Sequence, residues 1–104
     1  MAAKIIDGEA VAKTIIDQVI EDAAALTAAG RQPHLVAVQV GENPASKIYT
    51  NMQKKSCEAA GIAYDLLELD DAISQDDLLA EVEKLNSDAG VHGVILQMPV
   101  PAQI

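Results

Sequence analysis

The chain has 104 residues, which makes one domain at most. Its formal net charge of -9 argues against a nucleic-acid partner, whose phosphates need a basic face, and against an anionic membrane surface. Half of the residues are hydrophobic, mainly Ala, Val, Ile and Leu, while Trp and Phe are absent. The core must therefore be aliphatic, and any stacking on a ligand falls to Tyr49 or Tyr64. Cys57 is the single cysteine, so no disulfide can form within the chain, which fits a reducing compartment. The opening MAAKIIDGEA has no apolar signal region, and no run approaches the length of a membrane span. The expectation is a soluble, cytoplasmic protein.

Taken in chain order, Lys4 to Ile6 reads as a short strand or an extended lead-in. A helix follows from about Gly8 to Ala29: Val11, Ile15, Val19, Ala23 and Leu26 recur at helical spacing, and Gly30 is a stop. His34 to Val40 is short, β-branched and mostly apolar, which predicts a buried strand. Asn43 suits an N-cap and Pro44 the first helical position, where no donor is needed. That second helix runs to about Ala60 and stops at Gly61. Ile62 to Leu69 reads as a second strand. Ser74 begins a third helix, with Asp76 and Asp77 at its positive end and Leu78, Val82 and Leu85 as its apolar stripe. Val91 to Gln97 is the last strand, followed by MPVPAQI.

Helices alternating with strands predict an α/β domain: a three-layer sandwich whose mostly parallel sheet is covered by helices on both faces. Ligands of such sheets sit beyond the carboxyl ends of the strands. Two segments fall there, GENPASKIY and QMPVP.

Several motifs are missing. No G-x-G-x-x-G follows a strand and no phosphate-binding G-x-x-x-x-G-K-[ST] loop occurs, so the chain has no recognisable cofactor-binding residues of its own. No Cys/His cluster has zinc spacing, so no metal is expected. His34 and His92 read as structural, and Asp70 and Asp71 as a solvated turn. A receiver-like regulatory domain is disfavoured, because the first core strand is followed by GENPAS and the last by QMPVP.

GENPASKIY resembles the G-[ED]-[ND]-x-A-S-x-x-Y segment of the methylenetetrahydrofolate dehydrogenase/cyclohydrolase family. VHGVILQMPVP resembles that family's [VI]-x-G-[IV]-[LI]-[VL]-Q-L-P-[LV]-P segment, and KIIDGEAVA and KSCEAAGI are similar to it as well. The resemblance covers the whole chain in order. It implies that residues 1–104 are the amino-terminal, folate-binding catalytic domain, and that a Rossmann domain carrying NADP is absent from this chain. It further implies oxidation of 5,10-methylenetetrahydrofolate to the methenyl cation, hydrolysis to 10-formyltetrahydrofolate, and a homodimer for the full-length protein.

The resemblance assigns residues one by one. Tyr49 matches the active-site tyrosine, whose ring stacks on the pterin. Position 53 matches a catalytic lysine, but this chain carries Gln53. An amide can hold a substrate or a water but has no group that titrates near neutral pH. Tyr49 and Gln53 stand at i and i+4, about 40° apart around the helix, whereas Lys54 stands about 140° from Tyr49. Gln97 matches the glutamine that bonds the catalytic lysine, and here it is expected to face Gln53. Met98 and Pro99 match the substrate-lining Leu-Pro pair. Ser46, one turn before Tyr49, reaches the same cleft or bonds its own helix. Lys47, Lys54 and Lys55 share one helix and offer a local positive field to an anionic folate tail. Gln53 leaves open a second reading, a non-catalytic folate-binding or assembly module. Cys57 is expected to be buried and inert.

Overall fold

The computed structural model describes residues 3–104 and contains three helices and three strands. They follow in the order α1 (Gly8–Ala28), β1 (His34–Val40), α2 (Pro44–Ala60), β2 (Ala63–Leu69), α3 (Gln75–Ser87) and β3 (Gly93–Leu96). The three strands form one parallel sheet in the order β2-β1-β3. His34 stands beside Ala63 and Val40 beside Leu69, so β1 and β2 pair along their full length. β3 pairs only Leu35 through Val38 of β1.

This order fixes the layers. The chain steps from β1 to β2 through α2, then returns across β1 to β3 through α3. Both crossovers are right-handed by the usual rule, so opposite steps put the helices on opposite faces. The side chains agree with this. Val38, Val40 and Leu78 form a buried cluster with Leu67, Leu69, Val82, Leu85 and Val94, which is the α3 face. On the other face α2 buries Ser46, Thr50, Cys57 and Ala60. α1 leans on α2 and buries only Ala23. The core is aliphatic, as the composition requires.

Local chemistry sets the ends of the elements. Asn43 caps α2 by accepting from the amides of Ala45 and Ser46. Gly61 ends it at φ 79, where a side chain would be strained. Ser74 caps α3 by accepting from Asp77. Gly41 turns β1 into α2 at φ 77, and a Cβ there would stand 2.8 Å from that of Asp71. Only glycine fits that turn.

One alternative is decided and two expectations change. Lys4 to Ile6 is an unpaired lead-in, with Ile5 88% exposed. The last strand covers Gly93–Leu96 rather than 91–97, and it pairs with Leu35–Val38 of β1. The apolar stripe of α1 is largely exposed: Val11, Ile15, Val19 and Leu26 all lie open, since α1 packs mainly against α2.

Candidate functional site

The carboxyl ends of the strands carry the two segments that the pattern placed there. After β3 the chain rises over the end of β1, with the Gln97 amide donating to the Val38 carbonyl at 2.8 Å. Val100 and Ile104 then pack on the α3-side core, and Gln103 anchors the segment by donating to the carbonyls of Asp71 and Ile73. On the α2 side, Ser46 donates its hydroxyl to the Met98 carbonyl at 3.3 Å. That bond ties the first turn of α2 to the strap that follows β3. The Met98–Pro99 peptide is cis.

Between helix and strap lies an open cavity of about 310 Å³. Ser46, Tyr49, Gln97, Met98 and Pro99 line it, together with Asn43 and Ala45. Five positions singled out from the sequence thus converge on one volume, and the Ser46–Met98 bond among them spans 52 residues of chain. No lining residue is charged. Tyr49 is 54% exposed and Met98 63%, so an aromatic face and an apolar side chain stand ready to cover a flat ligand. Gln97 supplies an amide donor and acceptor.

Gln53 is placed differently. The buried stripe of α2 runs through Ser46, Thr50, Cys57 and Ala60, and Gln53 falls on that stripe, three residues after Thr50. Its side chain therefore points toward the sheet. Its Oε1 accepts from the Tyr64 hydroxyl on β2 at 3.1 Å, and it does not line the cavity. The expected pairing with Gln97 is not formed: β2 and β3 are opposite edges of the sheet, with β1 between them. Burial pushes the Tyr64 phenol up, and so does Cys57 once ionised, so the hydroxyl is a donor at neutral pH. Sequence reasoning marked Tyr64 only as a rare aromatic. Its partner depended on strand register, for which no local signal exists.

Lys54 and Lys55 are exposed. Lys47 lines a separate depression with Gln39, Glu42, Asn43, Pro44 and Glu68. Cys57 is buried, and burial pushes its thiol up, which keeps it inert. Two larger depressions carry less chemistry. One is walled by Glu42, Glu68, Asp70 and Asp71, which would repel an anion. The other is an apolar groove between α1 and α2. Among the described residues no cluster could hold a metal, and no helix is long and apolar enough to cross a membrane.

At the far end of the sheet the two histidines meet. His34 Nδ1 faces the Gly90 carbonyl at 2.9 Å and its Nε2 faces the Asp65 carboxylate. Both neighbours can only accept, so the protonated ring, with an N–H on each nitrogen, is the form that satisfies both. The Gly90 bond, followed by Asp65, raises the His34 pKa against the opposing effect of burial. His92 Nδ1 accepts from the His34 amide at 3.0 Å. The structural reading of both histidines fits this geometry.

A doubly covered parallel sheet with an uncharged, aromatic-sided cavity at its carboxyl edge defines an α/β domain of the class whose ligands sit beyond the strand ends. The model of the tetrahydrofolate dehydrogenase/cyclohydrolase catalytic domain matches residues 6–104, and the chain belongs to that family. The bifunctional protein FolD of Burkholderia ambifaria is 45% identical over 104 residues, covering 100% of this chain and 36% of that protein. The FolD protein of Geotalea uraniireducens is 45% identical over 102 residues, again across 36% of its length. Among solved structures, the bifunctional FolD enzyme of Campylobacter jejuni superposes with a TM-score of 0.92 at 36% identity, over 99% of this chain and 36% of that one. The methylenetetrahydrofolate dehydrogenase-cyclohydrolase of Trypanosoma brucei, complexed with NADP cofactor and inhibitor, gives 0.84 at 34% identity, over 100% of this chain and 36% of that one. The chain thus spans about a third of the length of these relatives.

Proposed function

We propose that residues 1–104 are the folate-binding catalytic domain of a methylenetetrahydrofolate dehydrogenase/cyclohydrolase whose hydrolytic step is impaired by Gln53. The observation that carries this reading is the convergence of Ser46, Tyr49, Gln97, Met98 and Pro99 on one uncharged cavity. The full protein would oxidise 5,10-methylenetetrahydrofolate to the methenyl cation and hydrolyse that cation to 10-formyltetrahydrofolate. NADP takes up the hydride, which is the cofactor's own chemistry.

These residues do not fit NADP. The turn from β1 to α2 has one glycine, Gly41, where a diphosphate cradle needs several. Glu42, Glu68, Asp70 and Asp71 gather at that mouth and oppose a diphosphate. The nucleotide is therefore assigned to the part of the relatives' length that this chain does not span. What this chain contributes is the folate wall: the ring of Tyr49 covers the pterin, Met98 and Pro99 border it, and Ser46 and Gln97 orient polar groups.

Hydrolysis of the methenyl cation adds water to an electrophilic carbon and releases a proton. A neutral amine could take that proton; the Gln53 amide cannot. The test is methenyltetrahydrofolate hydrolysis by the longest natural form of the protein, beside its Gln53→Lys variant. The parent is expected to be slow and the lysine variant faster by roughly 100-fold, the lower range for a positioned acid-base group. Equal, fast rates would overturn the role of position 53 and turn attention to Lys54.

A non-catalytic folate-binding module is the second reading, favoured by the engagement of Gln53 with Tyr64. It requires folate binding without oxidation or hydrolysis in either form. The family resemblance also supports a cytoplasmic homodimer, which light scattering and cell fractionation can check.

A further inference from the structure

The hydrogen bond between Tyr64 and Gln53 has a consequence for the site. β2 lies on the far side of β1 from β3, and neighbouring strands are about 4.8 Å apart, so the edges of this sheet are separated by roughly 10 Å. Gln97 closes the cavity from the β3 edge, while Tyr64 holds residue 53 toward the β2 edge. Tyr64 shares its sheet face with Leu66, and it stands beside Leu35 in register, so its ring is fixed by the strand pairing. Both Tyr64 and Gln53 are half-buried, which shields their bond from competing water.

We propose that Tyr64 is a positioning residue that decides where the side chain at position 53 ends, holding it against β2 and outside the Ser46–Tyr49–Gln97 cavity. The hold does not depend on glutamine. A phenol oxygen both donates and accepts, so it can donate to the amide oxygen of Gln53 or accept from the ammonium of a lysine placed there. A lysine at position 53 is therefore drawn toward β2 as the glutamine is. Hydrolysis then returns fully only when the phenol hydroxyl is removed as well. This inference rests on the proposed hydrolytic chemistry for its functional arm, and on the bond alone for its structural arm.

Two measurements test it. The first is the side-chain NH2 resonances of Gln53 by NMR in this 104-residue chain, beside Tyr64→Phe. The substitution keeps the ring and removes only the hydroxyl, so the fold is retained while the Gln53 signals move. Unmoved signals would overturn the proposal. The second is methenyltetrahydrofolate hydrolysis and NADP-dependent oxidation in the longest natural form, comparing the parent, Gln53→Lys, and Gln53→Lys with Tyr64→Phe. The double variant is expected to hydrolyse about tenfold faster than the single one, the factor corresponding to one ordinary hydrogen bond. Equal hydrolysis in the two lysine variants, fast or absent, with oxidation intact overturns the positioning role and leaves the family chemistry standing. Loss of oxidation and hydrolysis in every form, parent included, instead overturns the enzymatic reading. The NMR arm then decides alone whether Tyr64 holds residue 53.

Discussion

The two longest helices of this domain invert the usual expectation about burial. α1 is rich in Ile and Val, yet it buries only Ala23 and leaves Ile15 and Ile16 more than half exposed. α2 turns Ile48, Tyr49 and Met52 outward and buries Ser46, Thr50, Cys57 and Ala60. The difference lies in tethering and size. α2 is tied at both ends by short turns to adjacent strands, so it must lie flat on the sheet, and small side chains allow the close approach. α1 is tied to the sheet at one end only and rests on α2. Connectivity, more than apolar content, selected the helix that is packed on the sheet. The same constraint produced the site, because a helix held flat presents Tyr49 on its flank and Gln53 on its underside.

The largest effect expected from this contrast is at Thr50, which is 1% exposed beneath α2. Thr50→Leu adds volume where none is available and should cost about 1–3 kcal/mol. Urea denaturation reads this as a lowered midpoint at constant slope. An unchanged midpoint would mean that α2 is not closely seated.

A smaller, pH-dependent effect belongs to the sheet rather than to either helix. The His34 pKa is raised in the folded chain by Gly90 and Asp65. A raised folded pKa means that the extra stability is fully present below the unfolded value of about 6.5 and is lost as pH climbs through the folded value. Asp65→Asn removes the carboxylate partner. The gap in melting temperature between parent and variant should be widest in mild acid and close in alkali. A gap that widens with pH would contradict the doubly protonated ring.

The smallest effect is expected on α1. Ile16→Gln in this chain should change stability by no more than about 0.5 kcal/mol, as for other surface substitutions. A loss of several times that would show that the α1 face is covered in solution and would erase the contrast between the helices.

Much of the site could be read from the sequence. The cap Asn43-Pro44, the stop at Gly61 and the strand ending at QMPVP placed Ser46, Tyr49, Gln97, Met98 and Pro99 at one end of a parallel sheet, and they line one cavity there. Gln53 was recognised as the departure from the family pattern, but its partner was not. An i, i+4 spacing says that two side chains share a helical flank; it does not say which of them tilts toward the sheet. The exposure of α1 was equally hidden, since periodicity reveals an apolar face without revealing whether anything covers it.

The sequence by itself determined the element order, the capping residues, the aliphatic core and the residues that gather beyond the strands, because these follow from local propensity and from the alternation of helix and strand. The tertiary structure alone decided that β2 and β3 flank β1 on opposite sides, and hence that Gln53 bonds Tyr64 while Gln97 and Tyr49 line one cavity. It also decided that His34, Asp65 and Gly90 close a clip at the other end. Each of these contacts joins residues distant in the chain, and strand order and register, which bring them together, are set by the packing of the whole sheet.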